Sequence, residues 1–496
     1  MLRRLVPRPE TALFALLLGT YAYFYQGGGW NANSRFALVR SLVEKGRLDI
    51  NRYRQSTGDL ARRGDTYYCD KAPGASWLGA PPYAALFAVF GSRHPGPRFL
   101  ATALYLVTLW SVGIPSALGA VLLFRLLVRM GLAQFPAAVA TAAYGLGSMA
   151  FPFSTLFYGH QLAAALLIAA FGLLAACRLG AAPASTRRLL AVGLLLGCAV
   201  AVEYPVALAA AILGIYAAGW VRPWPRLGWL ALGAAGPGLL LAAYHTAAFG
   251  GPFTVAYSFS TLPDRHMGAF MGIAAPRLDV VRKLLFDDYR GLFFACPWLL
   301  LCFPGAARML ARRRLRPEAA ACAGCALAFL WLNASLVDWD GGWMMGPRYL
   351  VTALPFLAVL AAGLALPGLP RLLAVAGGAL ALSAVAFSAF MMLVATAVKP
   401  EVPRAYSRPY QDYLLPAFLE GRLALNTHPV DRVDEPPDGV KRAFNLGELL
   451  GLRGLASLLP LGAFAALGAL WLRGSLGAAR RKTLTRSGHA HGLPGT

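Results

Sequence analysis

Two short motifs contain residue types that could transfer a group from a phosphate. The first is YYCDKAPG, in which Asp70 and Lys71 stand where a hydrophilic segment returns to an apolar one. A carboxylate can accept a proton from a hydroxyl group, and a lysine can hold a phosphate as a point charge. We interpret Asp70 as a candidate general base, with Asp59 upstream as a second, and Lys71 as a candidate phosphate ligand. An interfacial Asp-Lys pair without a chemical role is the alternative.

The second motif, LVDWDGGWMMGPRYL, combines two carboxylates with an arginine. Asp338 and Asp340 have the DxD spacing that could ligate a divalent metal such as Mg or Mn beside a phosphate leaving group. Asp340 is also a third candidate base. Arg348 enters the next apolar run, where a guanidinium group can bind phosphate through its fork. A capping Asp and an Arg that extends to the interface explain the motif equally well.

Two further positions at the ends of apolar runs are candidates for binding. Arg290, in FDDYRGLFFACPW, opens an apolar run as Arg348 does, and is a third candidate phosphate ligand. His160 follows Tyr158 and Gly159 and is a candidate substrate-binding residue. The alternatives are ordinary interfacial capping for Arg290 and a structural hydrogen bond for His160.

The elements that position these residues are membrane spans. The 496 residues are 58% apolar and only 14% charged, with a mean hydropathy of +0.55, whereas soluble domains carry about 25% charged residues. This composition excludes a soluble enzyme, a disordered chain and a disulfide scaffold. The net charge of +24 is typical of basic cytoplasmic loops, so we expect no nucleic acid partner.

Apolar runs predict an all-α polytopic membrane protein with about 12 transmembrane helices. The predicted spans are 11–26, 99–124, 132–151, 161–177, 188–203, 205–221, 227–248, 291–308, 318–336, 349–366, 371–396 and 454–473. A thirteenth run, 75–91, is short and carries two prolines. If it does not cross, the loops rich in Arg and Lys lie on the same side as the N-terminus, so we interpret it as interfacial or re-entrant, with a cytoplasmic N-terminus.

This topology predicts five regions. They are the N-terminal tail and first span (1–26), a large outer loop (27–98), a transmembrane bundle (99–396) with outer loops at 250–290 and 337–348, a small outer domain (397–453), and the last span with a basic tail (454–496). The apolar spacing in 34–46 predicts an amphipathic helix on the membrane surface. Most carboxylates fall in the predicted outer loops, which is where we expect chemistry.

On these motifs and this topology, the chain resembles the GT-C glycosyltransferases. These polytopic enzymes transfer a sugar from a polyprenyl-phosphate carrier on the outer face of the membrane, and include lipid A aminoarabinose transferases and protein O-mannosyltransferases. YYCDKAPGASWL is similar to the family's return to the membrane after its large outer loop, which implies that Lys71 contacts the carrier phosphate. The resemblance covers topology throughout, and sequence mainly in the first 180 residues.

The chain departs from the family pattern at two positions. The family usually places an acidic residue just after the first span as general base, and this chain has Asn31 and Asn33 there. His160 stands where the family often has a second Asp. The base would then be Asp70, Asp59 or Asp340. Alternatively, Asn33, Arg35 and His160 bind substrate while the acceptor brings its own acid.

The resemblance implies a transferase of the bacterial cytoplasmic membrane. Its partners would be a polyprenyl-phosphate-linked sugar, membrane lipid, and a glycan, lipid or protein acceptor. Two other functions fit the sequence: a lipid-linked glycan transporter or flippase, and an inactive relative or assembly subunit. If the protein is such a transferase, we expect Asp70, Lys71, Asp340 and Arg348 to face one cavity. An apolar groove beside that cavity would hold the prenyl tail.

Overall fold

The computed structural model of the protein is built mainly of helices. It describes residues 8–91, 95–263, 272–425, 429–430 and 442–490, with side chains as far as residue 479. Parts of the predicted loops 250–290 and 397–453, and both chain ends, lie outside these residues. The α-helices are α1 (Pro9–Ala22), α2 (Trp30–Lys45), α3 (Gly74–Phe90), α4 (Pro97–Thr108), α5 (Ile114–Arg129), α6 (Gln134–Leu146), α7 (Ala150–Ser154), α8 (Gly159–Arg178), α9 (Thr186–Val202), α10 (Ala207–Ala218), α11 (Gly228–Phe249), α12 (Leu278–Phe286), α13 (Leu292–Ala295), α14 (Cys302–Leu310), α15 (Arg316–Ala334), α16 (Leu354–Ala362), α17 (Arg371–Val398), α18 (Leu415–Leu419), α19 (Leu446–Leu449) and α20 (Leu459–Ala490).

Shorter or wider helical turns extend several of these helices. The 3-10 turns are Asn51–Ser56, Tyr204–Val206, Trp224–Leu227, Ala256–Phe259, Pro297–Leu301, Arg348–Ala353, Gly363–Ala365 and Gly454–Leu458. The π turns are Leu109–Gly113, which joins α4 to α5, and Tyr410–Leu414, which precedes α18.

The chain is a multi-pass membrane protein, but the predicted number of twelve spans is not confirmed. Seven helical segments of the described chain are long and apolar enough to cross: Pro97–Arg129, Gly159–Arg178, Trp224–Phe249, Arg316–Ala334, Arg348–Ala365, Arg371–Val398 and Gly454–Ala479. The other predicted spans are shorter as helices. Prolines are one cause, since the apolar run 291–308 is divided at Pro297 between α13 and the next turn.

Four short strands modify the predicted all-α class. Strands β2 (Leu60–Arg63) and β3 (Thr66–Cys69) form an antiparallel hairpin. Gly64 has a φ of +60° at its two-residue turn, a conformation that glycine adopts without a Cβ clash. Strands β1 (Phe24–Tyr25) and β4 (Phe444–Asn445) pair the segment after α1 with a segment near the C-terminus.

Helix α2 is longer and more deeply buried than the predicted surface helix at 34–46. It begins at Trp30, and every residue from Asn31 to Val39 is buried. The prediction of a helix with one face on the membrane is therefore wrong for the first half of α2. Its polar side chains instead have hydrogen-bond partners within the protein, as described below for Asn33 and Arg35. Helix α3, which covers the 75–91 run, packs against α2.

Helices α9 and α11 approach each other at glycines, as membrane helices often do. A Cβ on Gly193 would overlap the carbonyl oxygen of Leu230, and a Cβ on Gly233 would overlap that of Leu190. The backbones are therefore in direct contact. This packing supports the end of α9, which carries one of the site residues.

Gly193→Ala is expected to lower the midpoint of thermal unfolding in detergent, because the added methyl must separate α9 from α11. Overpacking of this kind costs about 1–3 kcal/mol. Gly236→Ala in α11 is the matched control, since nothing lies within 4 Å of its Cβ position, and alanine favours a helix by about 1 kcal/mol. A higher midpoint for both variants would contradict the close contact.

Candidate active site

A lysine held between two carboxylates forms the first part of the site. Lys71 Nζ lies 2.9 Å from Asp59 Oδ2 and 2.9 Å from Asp70 Oδ2, and all three residues are buried. The β2–β3 hairpin produces this arrangement, because pairing of Leu60 with Cys69 places the residue before β2 beside the residue after β3. Two of the predicted base candidates and one predicted phosphate ligand therefore share one ion cluster.

A second ion cluster joins α2 to the end of α9 and the start of α8. Arg35 is buried and donates from Nη2 to Glu203 Oε1 at 2.6 Å. His160 Nδ1 lies 3.6 Å from the same oxygen. Arg35 also donates, at 3.0 Å in each case, to Asn31 Oδ1 and to the carbonyl of Ala72. These bonds fasten the segment that carries Lys71 to α2 and α9.

His160 lies between these clusters and the 337–348 loop. Its ring centroid is 5.9 Å from that of Tyr349, which accepts a hydrogen bond from Arg348. Glu203 on its other side pairs with Arg35.

The two carboxylates of the DxD motif share an arginine that the sequence analysis missed. Arg404 Nη2 makes ion pairs with Asp338 and, at 2.8 Å, with Asp340 Oδ1. Tyr349 OH donates to Asp338 Oδ2 at 3.1 Å, and Tyr289 OH donates to Asp340 Oδ2 at 2.8 Å. The carboxylates thus form one network with a guanidinium group and two phenols.

This network does not fit the predicted Mg or Mn ion. A divalent cation needs several oxygen ligands and repels a guanidinium group, whereas Arg404 occupies the space between Asp338 and Asp340. Among the described residues, no group of three or more His, Cys, Asp or Glu side chains could hold a metal.

Asp340 is also poorly suited to be a base. Burial raises the pKa of Asp340, but the N–H of Gly342, the charge of Arg404 and the Tyr289 hydroxyl outweigh burial and lower the pKa below its usual value. A carboxylate with a lowered pKa accepts a proton less readily. Its place in the network is better explained by positioning of the loop.

The predicted phosphate ligands Arg290 and Arg348 differ in the hydrogen bonds that they make within the protein. Arg290 is 1% exposed and donates from Nε to the carbonyl of Asp340 at 3.1 Å and from Nη2 to that of Gly342 at 2.9 Å. Arg348 donates from Nη2 to Tyr349 OH at 3.1 Å. Its buried Nε has no hydrogen-bond partner in the part of the chain that the structure describes. Arg348 therefore has donor capacity to offer a ligand.

Asn33 lies in the first turns of α2, close to the cluster around Lys71. Its Nδ2 donates to the carbonyls of Ser56 and Pro429 at 2.7 and 2.8 Å, and its buried Oδ1 has no partner within the described chain. The neighbouring Ser34 hydroxyl donates to the carbonyl of Asp59 at 2.6 Å. The position where the resemblance implies an acid is therefore part of the same site.

The segment 399–404, at the end of α17, crosses the site although the sequence analysis gave it no chemical role. The N–H of Met345 donates to the carbonyl of Pro400 at 2.9 Å, and Lys399 Nζ lies 5.8 Å from the centroid of the Trp343 ring. A signal was present in the sequence, because KPEVPR is a charged run at the mouth of an apolar span. The same feature singled out Lys71 and Arg290.

Glu401 is the buried carboxylate of this segment, with 6% of its surface exposed. Tyr158 OH donates a hydrogen bond to Glu401 Oε1. On its other side is Gly29, the residue before α2, with a φ of +112°. A Cβ on Gly29 would overlap both carboxylate oxygens of Glu401, so only glycine leaves room for the carboxylate there.

An apolar cavity opens beside these charges. It has a volume of about 350 Å³, with His160, Glu203 and Tyr349 at its polar end and apolar walls formed mainly by α10 and α15. Its walls include Ala207, Phe329 and Leu332. Of the predicted site residues, His160 lines this cavity, whereas Lys71, Arg290 and Arg348 are not among its lining residues.

Comparisons with solved structures identify the fold. The oligosaccharyltransferase of Archaeoglobus fulgidus, in its apo form, matches with a TM-score of 0.50 and 12% identity, covering 87% of this chain and 62% of its own. ArnT of Cupriavidus metallidurans is 17% identical in both of its structures. The TM-score is 0.47 for the one bound to undecaprenyl phosphate, covering 94% of this chain and 75% of ArnT, and 0.48 for the apo state, covering 93% and 74%. No family model matches the sequence, and no curated protein matches it.

The likeness to the oligosaccharyltransferase agrees with the predicted resemblance at the level of the fold alone. The oligosaccharyltransferase is a GT-C protein, and its helical architecture extends over most of this chain. The chain covers less than two thirds of that protein's length. At 12% identity, this likeness shows a similar helical fold and nothing further.

Proposed function

We propose that this protein is a membrane glycosyltransferase with a polyprenyl-phosphate sugar donor. The acceptor is a hydroxyl group of a glycan, lipid or protein at the outer face of the bacterial cytoplasmic membrane. In a single displacement with inversion, the acceptor oxygen forms a bond to the sugar C1. The bond from C1 to the phosphate oxygen breaks, and the phosphate leaves with the electron pair. A base takes the proton of the acceptor.

The observation that carries this proposal is the division of the cavity at His160. Its polar end is formed by His160, Glu203 and Tyr349, and its other walls are mainly apolar. Tyr349 accepts a hydrogen bond from Arg348. A polyprenyl phosphate has the same division between an anionic head and a hydrocarbon tail. Preorganised donors aimed at a departing phosphate lower the barrier most when water is excluded.

Arg348 is the main ligand of the donor phosphate in this proposal. Arg348 Nε has no hydrogen-bond partner among the described residues, whereas Arg290 donates to two backbone carbonyls and Lys71 lies between two carboxylates. The guanidinium fork also suits a phosphate better than an ammonium group does. In this assignment Lys71 supplies positive charge close to the head group and holds the two aspartates in place.

The proposal is tested with the full chain in proteoliposomes. A panel of polyprenyl-phosphate monosaccharides, each labelled in the sugar, is incubated with an envelope lipid and glycan extract. Release of polyprenyl phosphate together with transfer of label supports the enzyme. Movement of intact donor across the bilayer without cleavage would instead identify a flippase, and neither activity would identify an inactive relative.

The cavity predicts sensitivity to the length of the prenyl tail. Ala207→Phe is expected to fill the apolar wall and exclude roughly 60 Å² of donor surface, which weakens binding by about 1.5 kcal/mol, or about tenfold in KM. The KM of a donor with a short prenyl chain should rise less in this variant. Ala211→Phe is the matched control, because Ala211 is exposed on the same helix outside the cavity. Equal KM values for all three proteins with the long-chain donor would place the tail elsewhere.

A further inference from the structure

We propose that the end of the protein opposite the candidate active site binds an anionic phospholipid of the membrane. The phosphate of the head group binds at Arg308 and Arg312, and an acyl chain lies in an apolar groove beside them. This site is separate from the cavity at His160, and binding there does not require sugar transfer. The inference therefore goes beyond the proposed function and is tested independently of it.

The apolar groove lies between α6 and α17 and has a volume of about 720 Å³. Its other walls are the Pro297–Leu301 turn and the segment that joins α16 to α17. Helix α17 contributes one face, at the helical spacing of Ala374, Gly377, Gly378, Ala381, Leu382 and Val385. A Cβ on Gly377 or Gly378 would meet nothing within 4 Å, so described side chains do not fill the groove at this face.

The length of the groove matches one leaflet of a bilayer. Along α17 it extends from Leu373 to Val385, which is about 18 Å at the rise of an α-helix, and half of the hydrocarbon core of a bilayer is about 15 Å. Phe135 and Leu382 line the groove and are exposed, so the groove opens at the surface that faces lipid. An acyl chain therefore fits it in both chemistry and length.

Two arginines converge at one end of the groove. Arg308 Nη2 donates to the carbonyls of Leu366 at 2.6 Å and Pro367 at 3.1 Å. Arg312 Nη2 donates to the same carbonyl of Pro367. Leu366, Pro367 and Gly368 all line the groove, and a Cβ on Gly368 would lie 3.9 Å from Arg312 Nη2. The two guanidinium groups therefore lie at the edge of the groove.

The positive charge of these arginines has no counter-ion in the part of the chain that the structure describes. Their side-chain hydrogen bonds there go to backbone carbonyls, and Arg308 Nε and Arg312 Nη1 are buried without a partner. Two like charges at one carbonyl repel each other, most strongly where water is excluded. A phosphate compensates both charges and accepts hydrogen bonds from a guanidinium fork. Basic pockets between membrane helices are typical sites for anionic head groups.

The position of this pair along α17 favours a phospholipid over the sugar donor. Helix α17 begins at Arg371, just after the lining segment 366–369, and ends at Val398, next to the segment 399–404 of the candidate active site. Its 28 residues extend over about 42 Å. The positive-inside pattern predicts that the end with Arg308 is cytoplasmic, whereas the proposed donor binds at the outer face.

A purely structural role for the arginines makes a different prediction. Basic side chains near the C-terminus of a helix stabilise it by binding its last carbonyls, and Arg308 and Arg312 bind carbonyls just after the Gly363–Ala365 turn that follows α16. That role would make both variants less stable in any lipid. A lipid site requires in addition that the parent distinguishes an anionic from a neutral phospholipid.

The test measures the affinity of the purified full chain in detergent for two phospholipids with the same acyl chains, by native mass spectrometry. We expect the parent to bind anionic phosphatidylglycerol at least about tenfold more tightly than neutral phosphatidylcholine. Arg308→Gln and Arg312→Gln should each weaken phosphatidylglycerol binding by about 10–100-fold, the usual effect of losing one hydrogen bond to a charged group. Gly377→Phe should lose both lipids, because its ring fills the groove while both arginines remain.

Two variants are matched controls. Arg313→Gln removes the same charge from an exposed arginine of the same turn, and Gly236→Phe adds the same ring at an open position of α11 outside the groove. Both should bind phosphatidylglycerol within about threefold of the parent. Thermal unfolding without added lipid identifies a variant that does not fold, and the remaining variants then decide.

Two results would overturn the site. The first is equal affinity of the parent for the two phospholipids, or phosphatidylglycerol binding that is unchanged in the folded variants of the arginines and of Gly377. The second is tighter binding of polyprenyl phosphate than of phosphatidylglycerol, lost in the same variants, which would assign the groove to the carrier of the donor. Neither result depends on whether the parent transfers sugar.

Discussion

Arg348→Ala is expected to lower kcat/KM for a polyprenyl-phosphate sugar by about 10²–10³-fold, the usual cost of removing one donor that faces a charge developing in the transition state. The loss should be largest in kcat, because negative charge on the phosphate grows as the bond to C1 breaks. The measurement is the initial rate of polyprenyl phosphate release in proteoliposomes. The reason is that Arg348 Nε has no hydrogen-bond partner among the described residues, and that Arg348 is hydrogen-bonded to Tyr349, which lines the cavity.

Two further variants are controls for Arg348→Ala. Arg348→Lys keeps the charge but removes the planar fork, so it should recover part of the rate lost in Arg348→Ala. Arg408→Ala should match the parent, since Arg408 is an exposed arginine paired with Asp412 on the neighbouring segment. If Arg348→Ala transfers sugar at the parent rate, the phosphate does not bind at this arginine.

Lys71→Met is expected to destabilise the folded protein by about 3–5 kcal/mol, because it leaves the buried carboxylates of Asp59 and Asp70 without their shared counter-ion. An exposed ion pair of the same type contributes little, so Lys283→Met, which removes a surface pair with Asp279, should leave stability unchanged. Unfolding in detergent, followed by helix content, measures both variants.

A triple variant separates the effect of Lys71 on stability from its effect on sugar transfer. Replacing Asp59 and Asp70 by asparagine in the Lys71→Met background removes the unpaired charges, so most of the lost stability should return. The triple variant should still transfer sugar poorly, since Lys71 also contributes positive charge at the donor phosphate. A stable Lys71→Met single variant would show that the two aspartates do not depend on this lysine.

The residues predicted from the sequence were those that stand beside a local signal. YYCDKAPG marks the return to the membrane, and Lys71 and Arg348 each lie where polar chain meets an apolar run. The β2–β3 hairpin also had a local signal, because Gly64 and Asp65 separate two strand-like runs. The prediction that residues of the first and third loops meet followed from the expected topology, and it stays a prediction.

The partners of these residues could not be predicted in the same way. Nothing near Asp338 or Asp340 indicates that Arg404 will bind them, since the contact depends on how α17 leaves the helical bundle. The same is true of Glu401, whose position depends on a glycine at the far end of the chain. The buried half of α2 was misjudged for a related reason, because apolar spacing reveals an amphipathic helix but not the polar partners that allow Arg35 to be buried.

The pairing of β1 with β4 has a consequence for biosynthesis. Phe24 and Tyr25 leave the ribosome early, but they bond to Phe444 and Asn445, which are made near the end of translation. Tyr23 is likewise hydrogen-bonded to the carbonyl of Ser457. The segment from Tyr23 to Tyr25 therefore cannot make these contacts until the chain has been synthesised as far as Ser457.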